Sequence, residues 1–156
     1  MLKSKKQYGF DPDYAIPPGE TLKEVMESLD MTQKELSIRT GLTVQSLNRI
    51  SKGEQPITYE TANRLELTTG ISARMWNNLE SQYREQLAKI REREQLESDL
   101  NWLKTIPTRE LIERGAIARQ EEKALLLRET LKFYGVSSVP AWKDIWEEPA
   151  VAARRS

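Results

Sequence analysis

Glycine and proline interrupt this chain at Pro17-Pro18-Gly19, Gly41, Gly53, Pro56, Gly70, Pro107, Gly115, Gly135, Pro140 and Pro149, and nearly everything between them has helical spacing. An all-α fold follows. Leu22, Val25, Met26 and Leu29 recur at i, i+3, i+4 and i+7, which predicts a first helix after Pro18-Gly19 with one apolar face. Thr32 with Glu35 three residues on is a capping box opening a second helix that ends near Thr40-Gly41. Thr43 caps a third helix stopped by Gly53. Thr58 caps a fourth, with Ala62, Leu65 and Leu67 apolar, and Ser72 opens a fifth.

The fifth helix meets no clear stop before Pro107. Its seam of Met75, Trp76, Leu79, Tyr83, Leu87, Ile90, Leu96, Leu100 and Leu103 needs a partner, either a second copy of the chain or the C-terminal segment folding back. Pairs such as Glu80 to Arg84 and Glu85 to Lys89 support it at i, i+4. Further on, Thr108 is expected to cap "RELIERG"; Ala124, Leu127, Leu131 and Tyr134 share a face, and Trp142, Ile145 and Trp146 follow. The expected organisation is a polar arm over residues 1–18, a compact helical domain over 19–80, a charged connector helix over 81–104, a C-terminal helical unit over 105–147 and a tail over 148–156. No internal repeat or low-complexity run is present.

Composition narrows the chemistry. With 156 residues and 38% hydrophobic content, the cores are modest and a small binding module is the first expectation. The absence of cysteine excludes disulfides and thiolate metal sites, and the absence of histidine removes the commonest metal ligand and general base. Nor is there a phosphate-binding glycine loop, a nucleophile elbow or a metal-ligand cluster, so no enzyme, catalytic residue, metal or cofactor is expected. No apolar run approaches the roughly 20 residues that a membrane helix needs, and no signal-peptide core follows the basic N-terminus; a soluble, cytoplasmic protein is expected. Lysines and arginines number 24 and so do aspartates and glutamates, so any nucleic-acid site must be local.

One stretch has that locality. Gln33, Leu36, Ser37, Gly41, Leu42, Leu47 and Ile50 have helix-turn-helix spacing: Ser37 is small where helices cross, Gly41 permits the tight turn, and Leu36, Leu42, Leu47 and Ile50 pin the pair to a core. Periodicity then leaves Val44, Gln45, Asn48 and Arg49 outward on the third helix. Amides of Gln and Asn pair with adenine, Arg pairs with guanine, and a short apolar side chain touches a thymine methyl, so these four are the expected base readers. Gln33, Lys34, Thr43 and Lys52 are the expected phosphate contacts, with Arg39 adding charge. Residues 32–52 carry Lys34, Arg39, Arg49 and Lys52 against Glu35 alone, a net +3, whereas residues 19–31 carry Lys23 against Glu20, Glu24, Glu27 and Asp30, a net −3. Such polarity favours sequence-specific binding by a dimer over non-specific coating.

The segments "PPGETLKE", "TQKELS", "GLTVQSLNRISKG", "ITYETANRLE" and "GISARMWNNLESQY" together resemble the HigA-type antitoxins of the phage-repressor-like (XRE) helix-turn-helix class, over roughly half of the chain. The resemblance implies a five-helix lambda-repressor-like domain and a homodimer on an inverted repeat of double-stranded operator DNA. It also implies repression of its own operon and neutralisation of a RelE-like (HigB-like) mRNA-cleaving toxin. "DLNWLKTIPTRELIERGAI" and "LLLRETLKFYGVSSVPAWKDIW" resemble the connector of longer members that continue into an ImmA/IrrE-type metallopeptidase-like domain. That domain is marked by HExxH, and a chain without histidine that stops at "AVAARRS" is expected to be a truncated or shortened member with no peptidase activity. A stand-alone XRE regulator, without a toxin partner, is the alternative.

Other features have plainer readings. Trp76, Trp102, Trp142 and Trp146 at helical spacing are packing residues rather than base-stacking platforms. The charge-rich residues 80–97 are a solvated helix face. Lys3, Lys5 and Lys6 fit either an arm reaching DNA or a plain tail.

Overall fold

The computed structural model of the chain describes residues 14–147, so Lys3, Lys5, Lys6 and the tail over 148–156 lie outside the described residues. Every regular element among them is a helix: α1 (Gly19–Ser28), α2 (Gln33–Thr40), α3 (Val44–Lys52), α4 (Tyr59–Thr69), α5 (Ala73–Ser98), α6 (Leu100–Leu103), α7 (Thr108–Glu113), α8 (Lys123–Tyr134) and α9 (Val139–Trp146). The chain divides into two units between Ile90 and Arg91, so α5 contributes to both.

In the first unit, α1 and α2 both pack on α3, and α2 also packs on α4. Their shared core is Leu22, Leu36, Leu47, Ile50, Ile57, Ala62, Leu65 and Trp76, with Val25, Met26, Leu42 and Leu79 partly buried against it. The threonine caps form as expected. Thr32, Thr43 and Thr58 accept from the backbone N–H groups of Glu35, Ser46 and Thr61, each satisfying one orphan donor of a helix start. Ser72 likewise accepts from Met75.

The box at Thr32 is only half formed. Glu35 turns its carboxylate to Arg39, 2.8 Å away on the next turn. Two apolar expectations also fail by geometry. Leu67 is 85% exposed because two residues beyond buried Leu65 a helix has turned about 200°. Leu29 is the cap after Ser28 rather than a helical residue, and Asp30 reverses the chain with φ 52°, so the fourth position of the α1 face is never completed. Pro18, which the sequence places at the end of an arm, is buried and accepts from Leu22 N–H in the start of α1.

The second unit has its own core of Leu96, Trp102, Leu103, Ile106, Ile117, Ala124, Leu126, Leu127, Leu131 and Val139. Trp102, Tyr134, Trp142 and Trp146 meet edge to face, with Trp102 and Trp142 centroids 5.1 Å apart. Glu92–Arg128 and Arg93–Glu122 pair at 2.9 and 3.0 Å across this unit. The expected run of α5 toward Pro107 is corrected here: the helix stops at Ser98. Ser98 Oγ donates back to the Gln95 carbonyl, and the Asp99 N–H turns to the Leu96 carbonyl three residues back, so the last turn tightens out of the α-helical ladder. Thr108 is a second correction, since it lies inside α7 and Pro107 holds the cap position with no side-chain bond. Ser138 does cap α9, accepting from Ala141 N–H at 3.1 Å.

Candidate nucleic-acid interface

The turn between α2 and α3 is stitched by two hydroxyls. Ser37 Oγ donates to the Leu42 carbonyl at 2.5 Å, while the buried Thr40 Oγ1 donates to the Leu36 carbonyl at 2.8 Å and accepts from Leu42 N–H at 3.1 Å. Arg64 of α4 adds a bond to the Thr40 carbonyl at 3.2 Å. Gly41 between them has φ 78°, the left-handed conformation that glycine adopts without a Cβ penalty. Ser37 is thus a hydrogen-bonding residue of the turn as well as a small one.

Helix α3 is held from its inner side. Leu47 and Ile50 are each 1% exposed, and Leu36 opposite them is fully buried. At its start Thr43 caps Ser46, and Ser46 Oγ also accepts from Gln55 Nε2 at 2.6 Å. At its end the carbonyl of Arg49 accepts from the N–H groups of Glu54 and Gln55. Gly19, the first residue of α1, meets this end so closely that a β-carbon there would overlap the backbone of Ile50 and Ser51.

Val44, Gln45, Asn48 and Arg49 all lie on the exposed face of α3, as do Thr43 before it and Lys52 at its end. Among the described residues, Gln45, Asn48, Arg49 and Lys52 form no side-chain hydrogen bond or ion pair. Lys34 is exposed and Gln33 half-buried at the start of α2. Thr43 Oγ1 is already an acceptor for Ser46, which leaves its proton to donate. Arg39 is engaged with Glu35, so its charge is locally offset. The residues that sequence reasoning missed are Ser46, Gln55 and Glu80, which fasten α3 and the segment after it. Glu80 lies 23 positions from its partner Ile57, beyond the reach of any local pattern.

Two helices joined by this turn, the second locked by its apolar face and bare on the other, form a helix-turn-helix domain. A helix-turn-helix family model matches residues 22–76. Solved structures similar to this chain include two from Pseudomonas aeruginosa. Pseudomonas aeruginosa antitoxin HigA with the higBA promoter is 29% identical, with a TM-score of 0.46, over 48% of this chain and 83% of that one. PA4674 of Pseudomonas aeruginosa in complex with its 18-bp operator DNA is also 29% identical, with a TM-score of 0.45, over 48% and 82%. No curated protein matches the chain. Among the described residues there is no group of three His, Cys, Asp or Glu able to hold a metal ion, and no helix is long and apolar enough to cross a membrane.

Proposed function

We propose that this chain is a sequence-specific DNA-binding repressor that works as a homodimer on an inverted repeat, and that it is the antitoxin of a toxin–antitoxin pair. The observation that carries the DNA reading is helix α3: core-locked through Leu47 and Ile50, bare at Val44, Gln45, Asn48 and Arg49. Those four side chains read base edges in the major groove, and Gln33, Lys34, Thr43 and Lys52 hold phosphates. Two readers in a dimer sit about 34 Å apart, one helical turn of DNA. The antitoxin role rests on the family-like segments over residues 17–83, and with it come autoregulation of the operon and neutralisation of an mRNA-cleaving toxin.

Mobility-shift assays test the interface. Arg49→Ala loses discrimination at one base pair by about 1–3 kcal/mol, whereas Lys52→Ala weakens all sequences alike. If both variants bind the operator as tightly as the wild type, the assigned face is wrong. The partner is tested by co-expressing the chain with the product of an adjacent reading frame for a small basic RelE-like protein. Rescue of growth supports the antitoxin role; failure to rescue leaves a repressor without a toxin.

A further inference from the structure

The segment from Gly53 to Ile57 joins α3 to α4 and is fastened at both ends. Toward α3, Gln55 donates to Ser46 in the first turn, and the N–H groups of Glu54 and Gln55 close on the Arg49 carbonyl at 2.9 and 3.3 Å. Toward α5, Glu80 Oε1 accepts from the N–H of buried Ile57 at 3.0 Å. The Glu80 side chain is only 13% exposed, and its other oxygen meets Arg84 Nε at 2.5 Å. Arg84 in turn lies over the Tyr83 ring, 4.8 Å from its centroid, and the Tyr83 hydroxyl fills the space that a β-carbon on Gly53 would need. One turn of α5 therefore grips both ends of the segment that clamps the reader helix.

We propose that Glu80, through its bond to the Ile57 N–H, is a positioning residue for sequence reading by α3; this rests on the DNA reading above. A carboxylate accepting a backbone N–H out of water is a strong, directional tether, roughly twice as strong as a neutral hydrogen bond. Base readout needs side chains held to about 0.5 Å, and phosphate contacts tolerate more, so loosening the tether affects discrimination before overall affinity.

The test uses the full chain and two labelled duplexes, one selected from a random pool by the wild type and one with that sequence scrambled. Glu80→Ala lowers affinity for the selected duplex about tenfold and leaves the scrambled one unchanged, because without the tether the reading conformation falls to about a tenth of the free population. Glu80→Gln keeps an acceptor for Ile57 and restores the preference, and exchange of the Ile57 amide quickens in Glu80→Ala alone. Gln55→Leu added to Glu80→Ala costs little more, because both act through one segment. Retention of full preference by Glu80→Ala, or a parallel loss on both duplexes that Glu80→Gln does not mend, overturns the proposal. A wild type that selects no sequence sinks the DNA reading instead, and that is known before any variant is made.

Discussion

At the scale of single residues, the turn between α2 and α3 depends on hydroxyls rather than on glycine alone. Thr40 both gives and takes a hydrogen bond, so the isosteric change Thr40→Val keeps the shape and strands the Leu42 N–H. A part-buried donor without a partner costs about 1–3 kcal/mol, and thermal or urea unfolding of Thr40→Val is expected to show a loss of that size. A change below about 0.5 kcal/mol would mean that Leu42 N–H finds water instead. None of this is visible in a spacing pattern, because Thr at that position reads equally well as a weak helix former near a stop. What spacing did reveal was which side chains of α3 look outward, since burial of Leu47 and Ile50 leaves Gln45, Asn48 and Arg49 no other direction.

At the scale of elements, the legible features were those written in local chemistry. Threonine before a helix and glycine after it located α2, α3 and α4, because capping is settled within three or four residues. The failures came where one local signal was extended too far. The α5 seam reads as continuous through Leu100 and Leu103 because leucines recur on time, yet Ser98 Oγ takes the Gln95 carbonyl and the Asp99 N–H turns back to Leu96, and the helix ends first. Leu67 matches Ala62 and Leu65 in apolar character but faces the other way. The contrast in burial predicts that Leu65→Ala loses about 2–5 kcal/mol of stability, whereas Leu67→Ala stays within about 0.5 kcal/mol. Comparable losses in denaturant melts of the two variants would put Leu67 back in the core. The Glu80 tether to Ile57 was out of reach for a different reason, since it is a contact between segments that only the fold brings together.

At the scale of the whole molecule, equal numbers of basic and acidic residues leave affinity to a few placed charges. In the proposed dimer, two lysines per reader, Lys34 and Lys52, would neutralise about four phosphates in all, which predicts a slope of about −4 for log Kobs against log salt concentration. Titrating the operator complex with salt checks this, and a slope nearer −10 would bring in charges beyond α2 and α3, with Lys3, Lys5 and Lys6 the first to substitute. The outward face of α3 has one more consequence, in kinetics. Because Gln45, Asn48 and Arg49 are bonded to nothing else among the described residues, no internal contact of theirs has to break before they meet a groove. If α3 reads DNA as proposed, association has no unlocking step, and sequence preference is expressed in how long the complex lasts rather than in how fast it forms.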